Sequence, residues 1–255
     1  MQKYRSYIIC GTPRSGSTML CGLLSSAGCG RANSYFGPLW IPEFAEKLGV
    51  GCEGDYDAPE FNRRYLDAVL AKGKAGTDIF GLRIMFEDLE NLSQRLDRLF
   101  PGLADAPARM SAAFTPPLYI HLSRRDKVAQ AVSRLKADQT GLWHKAADGS
   151  ELERTAPHRD ATYDPDALGT LVEELERNDA GWRQWFATHG IEPVQLTYEG
   201  LAQDPQAGLR AVLAALGVDV ERAANIKPKT AKLADSQSDA WAAEFHKVRS
   251  GRQGT

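Results

Sequence analysis

The chain has 255 residues, of which 43% are hydrophobic and 25% are charged, and its formal net charge is −2 at pH 7. This composition excludes a fibrous or intrinsically disordered chain, and the absence of surplus basic residues argues against a nucleic acid as partner. No apolar run approaches the roughly 18 residues that cross a bilayer, and the N-terminal run is too short for a signal peptide. We therefore expect a cytoplasmic protein with no integral membrane segment, folded as a single domain over 1–255.

Short apolar runs alternate with amphipathic stretches along the chain. The first half predicts, in chain order, a strand at 5–10, helices at 17–28, 42–48 and 58–73, a strand at 79–86, a helix at 87–100 and a strand at 116–123. The second half predicts a helix at 126–139, a long polar loop or lid at 140–164, a helix at 165–188, a strand at 193–198 and helices at 205–217 and 238–248. This alternation indicates an α/β fold, namely a P-loop-like doubly wound parallel sheet with helices on both faces.

The segment GTPRSGST joins the first strand to the first helix. Gly11 and Gly16 have the spacing of a phosphate-binding loop, but Ser17 stands where nucleoside triphosphatases carry a lysine. The backbone N–H groups of 14–18 and the positive end of the helix favour an anion. Because the lysine and a magnesium-site aspartate are both missing, we expect an anion with one phosphate at this site, neutralised by Arg14 and the hydroxyl groups.

Four cysteines lie in the first fifth of the chain, and their spacing fits no zinc pattern. In the absence of a secretion signal we expect reduced thiols, and we predict no metal site. The four residues are Cys10, Cys21, Cys29 and Cys52.

Several stretches of the sequence resemble sulfotransferases that use 3′-phosphoadenosine 5′-phosphosulfate (PAPS). The detailed match is closest to the bacterial trehalose 2-sulfotransferase family, including its lipopolysaccharide-sulfotransferase-like members. The stretches that carry the resemblance are GTPRSGSTMLCGLLSSAG (11–28), IHLSRRDKVAQAVS (120–133), GWRQWF (181–186), LTYEGLAQDP…LG (196–217) and ADSQSDAW (234–241). The first two together are quite specific, whereas the others alone would be weak.

The resemblance implies roles for the matching residues. Arg124 and Ser133 would hold the 3′-phosphate of PAPS, and Arg125 is the alternative to Arg124 because it also ends the third strand. The hypothesis for the chemical step gives Arg14 the leaving oxygen and Arg83 the sulfuryl oxygens. The 5′-phosphate and the sulfuryl group would be bound by the loop residues Pro13, Arg14, Ser15, Gly16, Ser17 and Thr18.

One departure from the family pattern concerns the general base. The family has a glutamate just after the first helix that is expected to take the proton of the acceptor hydroxyl, and its place here falls at Ser34, next to Asn33. Neither side chain is an acid, and an alcohol acceptor normally needs a positioned carboxylate or histidine. Glu43, Glu46 and Glu87 are acids nearby in sequence, and we assign the base to none of them.

The acceptor is expected to contact the two least regular segments, 31–57 and 140–164, which concentrate aromatic side chains suited to a sugar face. We predict transfer of a sulfuryl group from PAPS to a hydroxyl of a carbohydrate or glycolipid, and the resemblance implies a homodimer. The alternatives are a nucleotide or sugar kinase with a degenerate phosphate loop, or a non-catalytic protein that binds PAPS or its product PAP. The aromatic candidates are Tyr35, Phe36, Trp40, Trp143 and His144.

Overall fold

Strands and helices alternate along the chain in the computed structural model, which describes residues 3–52, 54–231 and 233–253. In the first half, β1 spans Ser6–Gly11, α1 Ser17–Ser26, α2 Ile41–Lys47, α3 Pro59–Lys74, β2 Phe80–Met85, α4 Leu89–Leu99, α5 Ala106–Phe114 and β3 Leu118–Ser123. In the second half, α6 spans Lys127–Thr140, β4 Leu142–Lys145, β5 Glu151–Arg154, α7 Pro165–Thr188, β6 Val194–Thr197, α8 Tyr198–Gln203, α9 Pro205–Leu216 and α10 Ser236–Gln253.

Four parallel strands form the central sheet in the order β2–β1–β3–β6. The chain leaves β1 toward one edge of the sheet and then returns to the other side of β1 to form β3. The strand order therefore reverses at the carboxyl end of β1, which is where open α/β sheets bind their ligands. The predicted doubly wound α/β fold is confirmed.

Alternate residues of β1 face two different cores. Ile8 and Cys10 pack with buried side chains of α3, α4, α5 and α7 on one face of the sheet. Tyr7 and Ile9 pack with α1 and α9 on the other face. Because both faces are covered, the strand is apolar throughout instead of alternating with polar residues. A third cluster joins α6, α7 and α10, so that the C-terminal helix covers the helical layer beside the sheet.

The segment 140–164 differs from its prediction as a loop or lid, because β4 and β5 form an antiparallel hairpin within it. Gly141, at a φ of 69°, ends α6 and turns the chain into β4. The five residues between the two strands contain Asp148-Gly149, a dipeptide typical of hairpin turns. The strands themselves, LWHK and ELER, are rich in charged residues of low β-propensity, which is why they did not read as strands.

Two helices have no counterpart in the sequence prediction. In α5 the side chain of Asp105 accepts a hydrogen bond from the N–H of Ala108 at 2.8 Å and caps the helix. Its alanine-rich sequence gives weak periodicity, although Met110 and Phe114 are buried. α8 is a single short helix directly after β6. None of the helices in the described ranges combines the length and the apolar character that a bilayer crossing demands.

Candidate active site

A cavity of about 980 Å³ opens at the carboxyl ends of the parallel strands. Its walls come from the loop after β1, the end of β2, the residues after β3 and β6, and the β4–β5 hairpin. Of the predicted site residues, it brings together Pro13, Arg14, Gly16, Ser17, Thr18, Arg83, Arg124 and Ser133. Ser15 lies behind this wall and is fully buried.

The loop after β1 is held from behind by two side chains. The indole Nε1 of Trp182, on α7, donates to the carbonyl oxygen of Gly11 at 2.8 Å. Nε2 of Gln130, on α6, donates to Oγ1 of Thr12 at 2.8 Å and to the carbonyl oxygen of Pro13 at 2.6 Å. The loop backbone is therefore fixed by hydrogen bonds that do not involve its cavity side.

Two residues of this loop have left-handed backbone conformations, Arg14 with φ 65° and Gly16 with φ 86°. A non-glycine residue in this region is strained and persists only where its surroundings fix it. Gly16 also precedes α1 without providing a side-chain cap, so the first N–H groups of that helix have no side-chain acceptor there. Free helix N–H groups together with such turns form an anion-binding cradle.

Two guanidinium groups meet beside this cradle. Nε of Arg14 donates to Oγ of Ser133 at 3.0 Å, and its Nη1 donates to the carbonyl oxygen of Trp143 at 2.5 Å. Nη1 of Arg124 donates to the carbonyl oxygen of Arg14 at 3.3 Å, and its guanidinium lies 4.5 Å from the ring centre of Tyr198. Burial, followed by the charge of Arg124, lowers the pKa of Arg14 to about 10. Arg14 and Arg124 thus place two positive charges close together on a largely buried part of the cavity wall.

Two buried polar atoms at this point have no hydrogen-bond partner within the described residues, Oγ of Ser15 and Nε of Arg124. Buried polar groups are almost always paired. Ser15 lies behind the cavity wall, but Arg124 lines the cavity, and its Nε, together with the two guanidinium groups and the helix N-terminus, fits an anionic ligand with several oxygen acceptors.

Arg83, near the end of β2, links the loop to the segment after α1. Its Nη1 donates to Oγ1 of Thr18 at 2.8 Å, and its Nε donates to Oγ of Ser34 at 2.9 Å. Its Nη2 also approaches Oδ1 of Asn33 at 3.3 Å. Ser34, at the place of the family glutamate, therefore lies in the site as a hydrogen-bond acceptor for Arg83.

The β4–β5 hairpin adds His144 and Glu153 to the cavity wall. They are cross-strand partners, with Nε2 of His144 3.6 Å from Oε2 of Glu153. The same Nε2 lies 3.0 Å from Oγ1 of Thr18. Burial, and then the charges of Arg14 and Arg83, lower the pKa of His144 to about 3. From the sequence, His144 was predicted only as an aromatic side chain for a sugar, and Glu153 was not predicted. Both follow from the hairpin that pairs them, and the segment was predicted to be a loop.

Among the candidate bases, Glu43 and Glu87 line the cavity, whereas Glu46 is exposed on α2 outside the described lining. Asp88, which the sequence reasoning did not single out, lines the cavity next to Glu87. Burial raises the pKa of both Glu87 and Asp88. The described residues contain no cluster of three or more histidine, cysteine or acidic side chains suited to a metal ion.

Three further predicted candidates lie elsewhere than in the cavity. Arg125 is 73% exposed at its side chain and lies 3.6 Å from a carboxylate oxygen of Glu199, while Arg124 lines the cavity. Tyr35 and Phe36 were expected to face a sugar, but they are buried in the main core and make edge-to-face contacts with other aromatic rings. Their apolar neighbours in α2 and α3 fix them there, so the structure corrects this expectation. Of the aromatic candidates, Trp40, Trp143 and His144 line the cavity.

Comparisons with known proteins agree on one class. The family model described as Stf0 sulphotransferase matches residues 6–248 of the chain. A trehalose 2-sulfotransferase of Mycobacterium tuberculosis is 29% identical over 261 residues, which cover 93% of this chain and 92% of that protein. A trehalose 2-sulfotransferase of Mycolicibacterium smegmatis is 29% identical over 266 residues, which cover 95% of this chain and 94% of that protein. Among solved structures, the sulfotransferase domain of the Synechococcus PCC 7002 olefin synthase aligns with a TM-score of 0.46 and 18% identity, over 96% of this chain and 89% of that chain.

Proposed function

This chain belongs to the Stf0 sulphotransferase family and is a sulfotransferase, and we propose that it transfers a sulfuryl group from PAPS to a hydroxyl of a carbohydrate or glycolipid. The observation that carries the proposal is the pair of arginines Arg14 and Arg124 on the cavity wall, of which Arg124 has a buried Nε with no partner within the described residues. A donor with phosphate at both ends would supply acceptors to both side chains.

The proposed donor site follows from this arrangement. The loop N–H groups and Arg14 would bind the 5′-phosphosulfate, since they lie at the N-terminus of α1. Arg124 and Ser133 would bind the 3′-phosphate, because both line the cavity. Ser133 accepts a hydrogen bond from Arg14, so its hydroxyl proton can be donated to the phosphate. These fixed donors would supply the electrostatic stabilisation that nucleotide kinases obtain partly from magnesium.

In the proposed reaction the acceptor oxygen attacks the sulfur of PAPS. An S–O bond to the acceptor forms while the S–O bond to the 5′-phosphate breaks, and negative charge develops on the leaving oxygen. Arg14 would stabilise that oxygen, and Arg83, bonded to Thr18 at 2.8 Å, would face the sulfuryl oxygens. Groups held in place before reaction stabilise such charge without reorganisation.

The rim of the cavity supports an acceptor with an apolar part. Leu39 is 87% exposed and Leu152 is 55% exposed, and both line the cavity. They are two of the three large hydrophobic side chains exposed within the described residues, the third being Leu103. Because exposed apolar surface concentrated at one site marks a binding surface, we propose a sugar headgroup with a hydrocarbon chain as the acceptor. The relatives named for trehalose favour a disaccharide headgroup.

Two assays test this function. Calorimetry should show that PAP (3′,5′-adenosine bisphosphate) binds without magnesium and that Mg-ATP binds at least tenfold more weakly. A preference for Mg-ATP would instead support the kinase. Incubation with radiolabelled PAPS should transfer label to trehalose or to a glycolipid extract. PAP binding with no transfer to either acceptor would support the non-catalytic binder.

A further inference from the structure

A sulfuryl transfer to an alcohol needs a proton acceptor, and the position of the family glutamate cannot supply one here. Ser34 stands there, and its Oγ accepts a hydrogen bond from Nε of Arg83 at 2.9 Å. A serine hydroxyl held by a guanidinium is not a base at neutral pH. The site must therefore take up the proton through another side chain if the proposed function holds.

We propose that Nε2 of His144 accepts the proton of the acceptor hydroxyl and that Glu153 stabilises the resulting imidazolium. This inference rests on the proposed sulfuryl transfer and assigns its general base to the β4–β5 hairpin. Both side chains line the cavity, and strand pairing places them opposite each other.

The hydrogen bonds around Thr18 are compatible with a lone pair on Nε2 of His144. Arg83 has only donors, so Oγ1 of Thr18 must accept the hydrogen bond from its Nη1 at 2.8 Å. The hydroxyl proton of Thr18 is then free to be donated to Nε2 of His144, 3.0 Å away. The proposal uses this tautomer, in which Nε2 carries the lone pair next to the loop that is proposed to hold the donor. An acceptor hydroxyl would replace the hydroxyl of Thr18 as the partner of that lone pair.

Glu153 is placed to stabilise the protonated ring. Its Oε2 lies 3.6 Å from Nε2 of His144, and its side chain is 44% exposed. The nearby carboxylate favours the imidazolium, and its exposure offers the proton a route to solvent. Glu153 lies against the same nitrogen that takes the proton, so it would act through the charge of the imidazolium and not by orienting the ring through Nδ1.

The charged groups that face His144 are Arg14 on the loop, Arg83 on β2 and Glu153 on β5. In the free protein, burial and the two guanidinium groups keep the ring neutral, with a pKa of about 3. A bound donor would place several negative charges against the same guanidinium groups. Their effect on the ring would be offset and its pKa would rise, so the base becomes competent when the donor is bound.

The step balances in atoms and charge. The acceptor RO–H gives its proton to Nε2 of His144 as its oxygen forms a bond to sulfur. The S–O bond to the 5′-phosphate breaks and leaves PAP. The products are the sulfate ester, PAP and a protonated His144, which returns its proton to solvent beside Glu153.

The acidic side chains on the cavity wall are less suited to this role. Glu43 is hydrogen-bonded to Lys47, and Glu87 lies 4.0 Å from Arg134. Asp88 is half-buried against the segment around Gly37, and its carboxylate has no hydrogen bond to Thr18 or to the loop among the described contacts. Asp88 is the strongest rival, since burial raises its pKa.

The test uses His144→Gln, which places a polar amide near Thr18 but removes the basic nitrogen. The matched control is His189→Gln, a histidine outside the cavity lining whose Nδ1 lies 3.8 Å from a carboxylate oxygen of Asp105. With radiolabelled PAPS and the acceptor labelled by the wild type, His144→Gln should lower kcat at least about 100-fold. PAP affinity should stay within threefold of wild type, and His189→Gln should change neither value.

Two further measurements complete the test. Imidazole added to His144→Ala should raise the transfer rate of that variant at least tenfold, which a purely structural role of the histidine would not allow. The ring resonances of His144, followed by NMR as pH varies, should show a pKa at least one unit higher in the PAP complex than in the free protein. The inference would be overturned if His144→Gln kept a near-normal kcat, or if Asp88→Asn lost kcat while His144→Gln did not. It would also be overturned if the pKa of His144 were the same with and without PAP. Failure of the wild type to bind PAP would overturn the proposed function itself.

Discussion

Replacing Arg14 with methionine should weaken donor binding with little loss of fold stability. Because one pKa unit corresponds to about 1.4 kcal/mol, the lowering of the Arg14 pKa to about 10, first by burial and then by the charge of Arg124, means that holding the charged guanidinium there costs about 3 kcal/mol. This penalty is fully present at neutral pH, since it is relieved only as pH rises through 10. Methionine removes the penalty and also removes the hydrogen bonds to Ser133 and Trp143, each worth about 1.5–3 kcal/mol from a charged donor. Both partners are partly exposed, so water can replace the guanidinium there.

The matched control is Arg95→Met, a second buried arginine that lies outside the described lining of the cavity. Arg95 donates to Oδ1 of the buried Asn62 at 2.8 Å and to the carbonyl oxygen of Tyr56 at 2.6 Å, and it lies 3.3 Å from a carboxylate oxygen of Asp57. Tyr56 and Asp57 are accessible to water, but methionine leaves Oδ1 of the buried Asn62 without this donor, so we expect Arg95→Met to lower the free energy of unfolding by about 1–3 kcal/mol.

Urea denaturation of the wild type and both variants, with and without PAP, measures the difference. Without PAP, the free energy of unfolding of Arg14→Met should lie within about 1 kcal/mol of the wild-type value. PAP at 100 times its Kd should add about 2.7 kcal/mol to the wild type and to Arg95→Met, and far less to Arg14→Met. The reasoning is refuted if Arg14→Met loses as much stability as Arg95→Met without PAP, or if PAP stabilises it as much as the wild type.

Three other changes give separable outcomes. Gly16→Ala forces a Cβ to 2.7 Å from Cδ2 of Tyr198 at a φ of 86°, so PAP affinity should fall at least tenfold in calorimetry, whereas Gly22→Ala, with no atom within 4 Å of its Cβ, should leave it unchanged. Asp179→Asn should lower the free energy of unfolding by about 3 kcal/mol at pH 7. The carboxylate of Asp179 lies 3.2 Å from Nε2 of His121, 3.4 Å from Nζ of Lys127 and 2.6 Å from Nη1 of Arg183, and the amide would weaken these contacts. Burial alone would raise the pKa of Asp179, but its hydrogen bond with His121 and the charge of Lys127 lower the pKa to about 2. The wild type should therefore lose stability as pH falls from about 4 toward 2. The loss should be smaller in Asp179→Asn, where Asp235 is among the carboxylates that still contribute, and an equal slope in both would count against this account. Leu39→Ser with Leu152→Ser should reduce transfer to a glycolipid at least fivefold and leave transfer to free trehalose unchanged, and equal loss on both acceptors would argue against an apolar part.

The sequence predicted the four strands of the central sheet because each is a short, mainly apolar run between helical segments, and in β1 both faces are buried, as Tyr7 and Ile8 illustrate. It also predicted most of the residues around the cavity, since the loop glycines and the strand ends indicate where an α/β sheet binds ligands. The carboxyl ends of parallel strands converge, so Arg83 and Arg124 come together although they are far apart in the chain.

The remainder depended on contacts that no local pattern encodes. The hairpin strands carry histidine, lysine and glutamate at positions that usually favour apolar residues, so only Asp148-Gly149 indicated a turn. Tyr35 and Phe36 lie in an irregular segment, but neighbouring helices bury both rings, which the segment alone does not indicate. The contact of His144 with Thr18 joins residues 126 positions apart and follows from the hairpin folding over the loop.

The hydrogen bonds from two side chains that hold the loop after β1 from behind have a kinetic consequence. Trp182 and Gln130 reach it from α7 and α6, on the side away from the cavity. The ordering of this backbone is therefore completed during folding, and the proposed donor would bind to a loop that already has its final conformation. Association should then resemble rigid docking, with little backbone entropy lost at the moment of encounter.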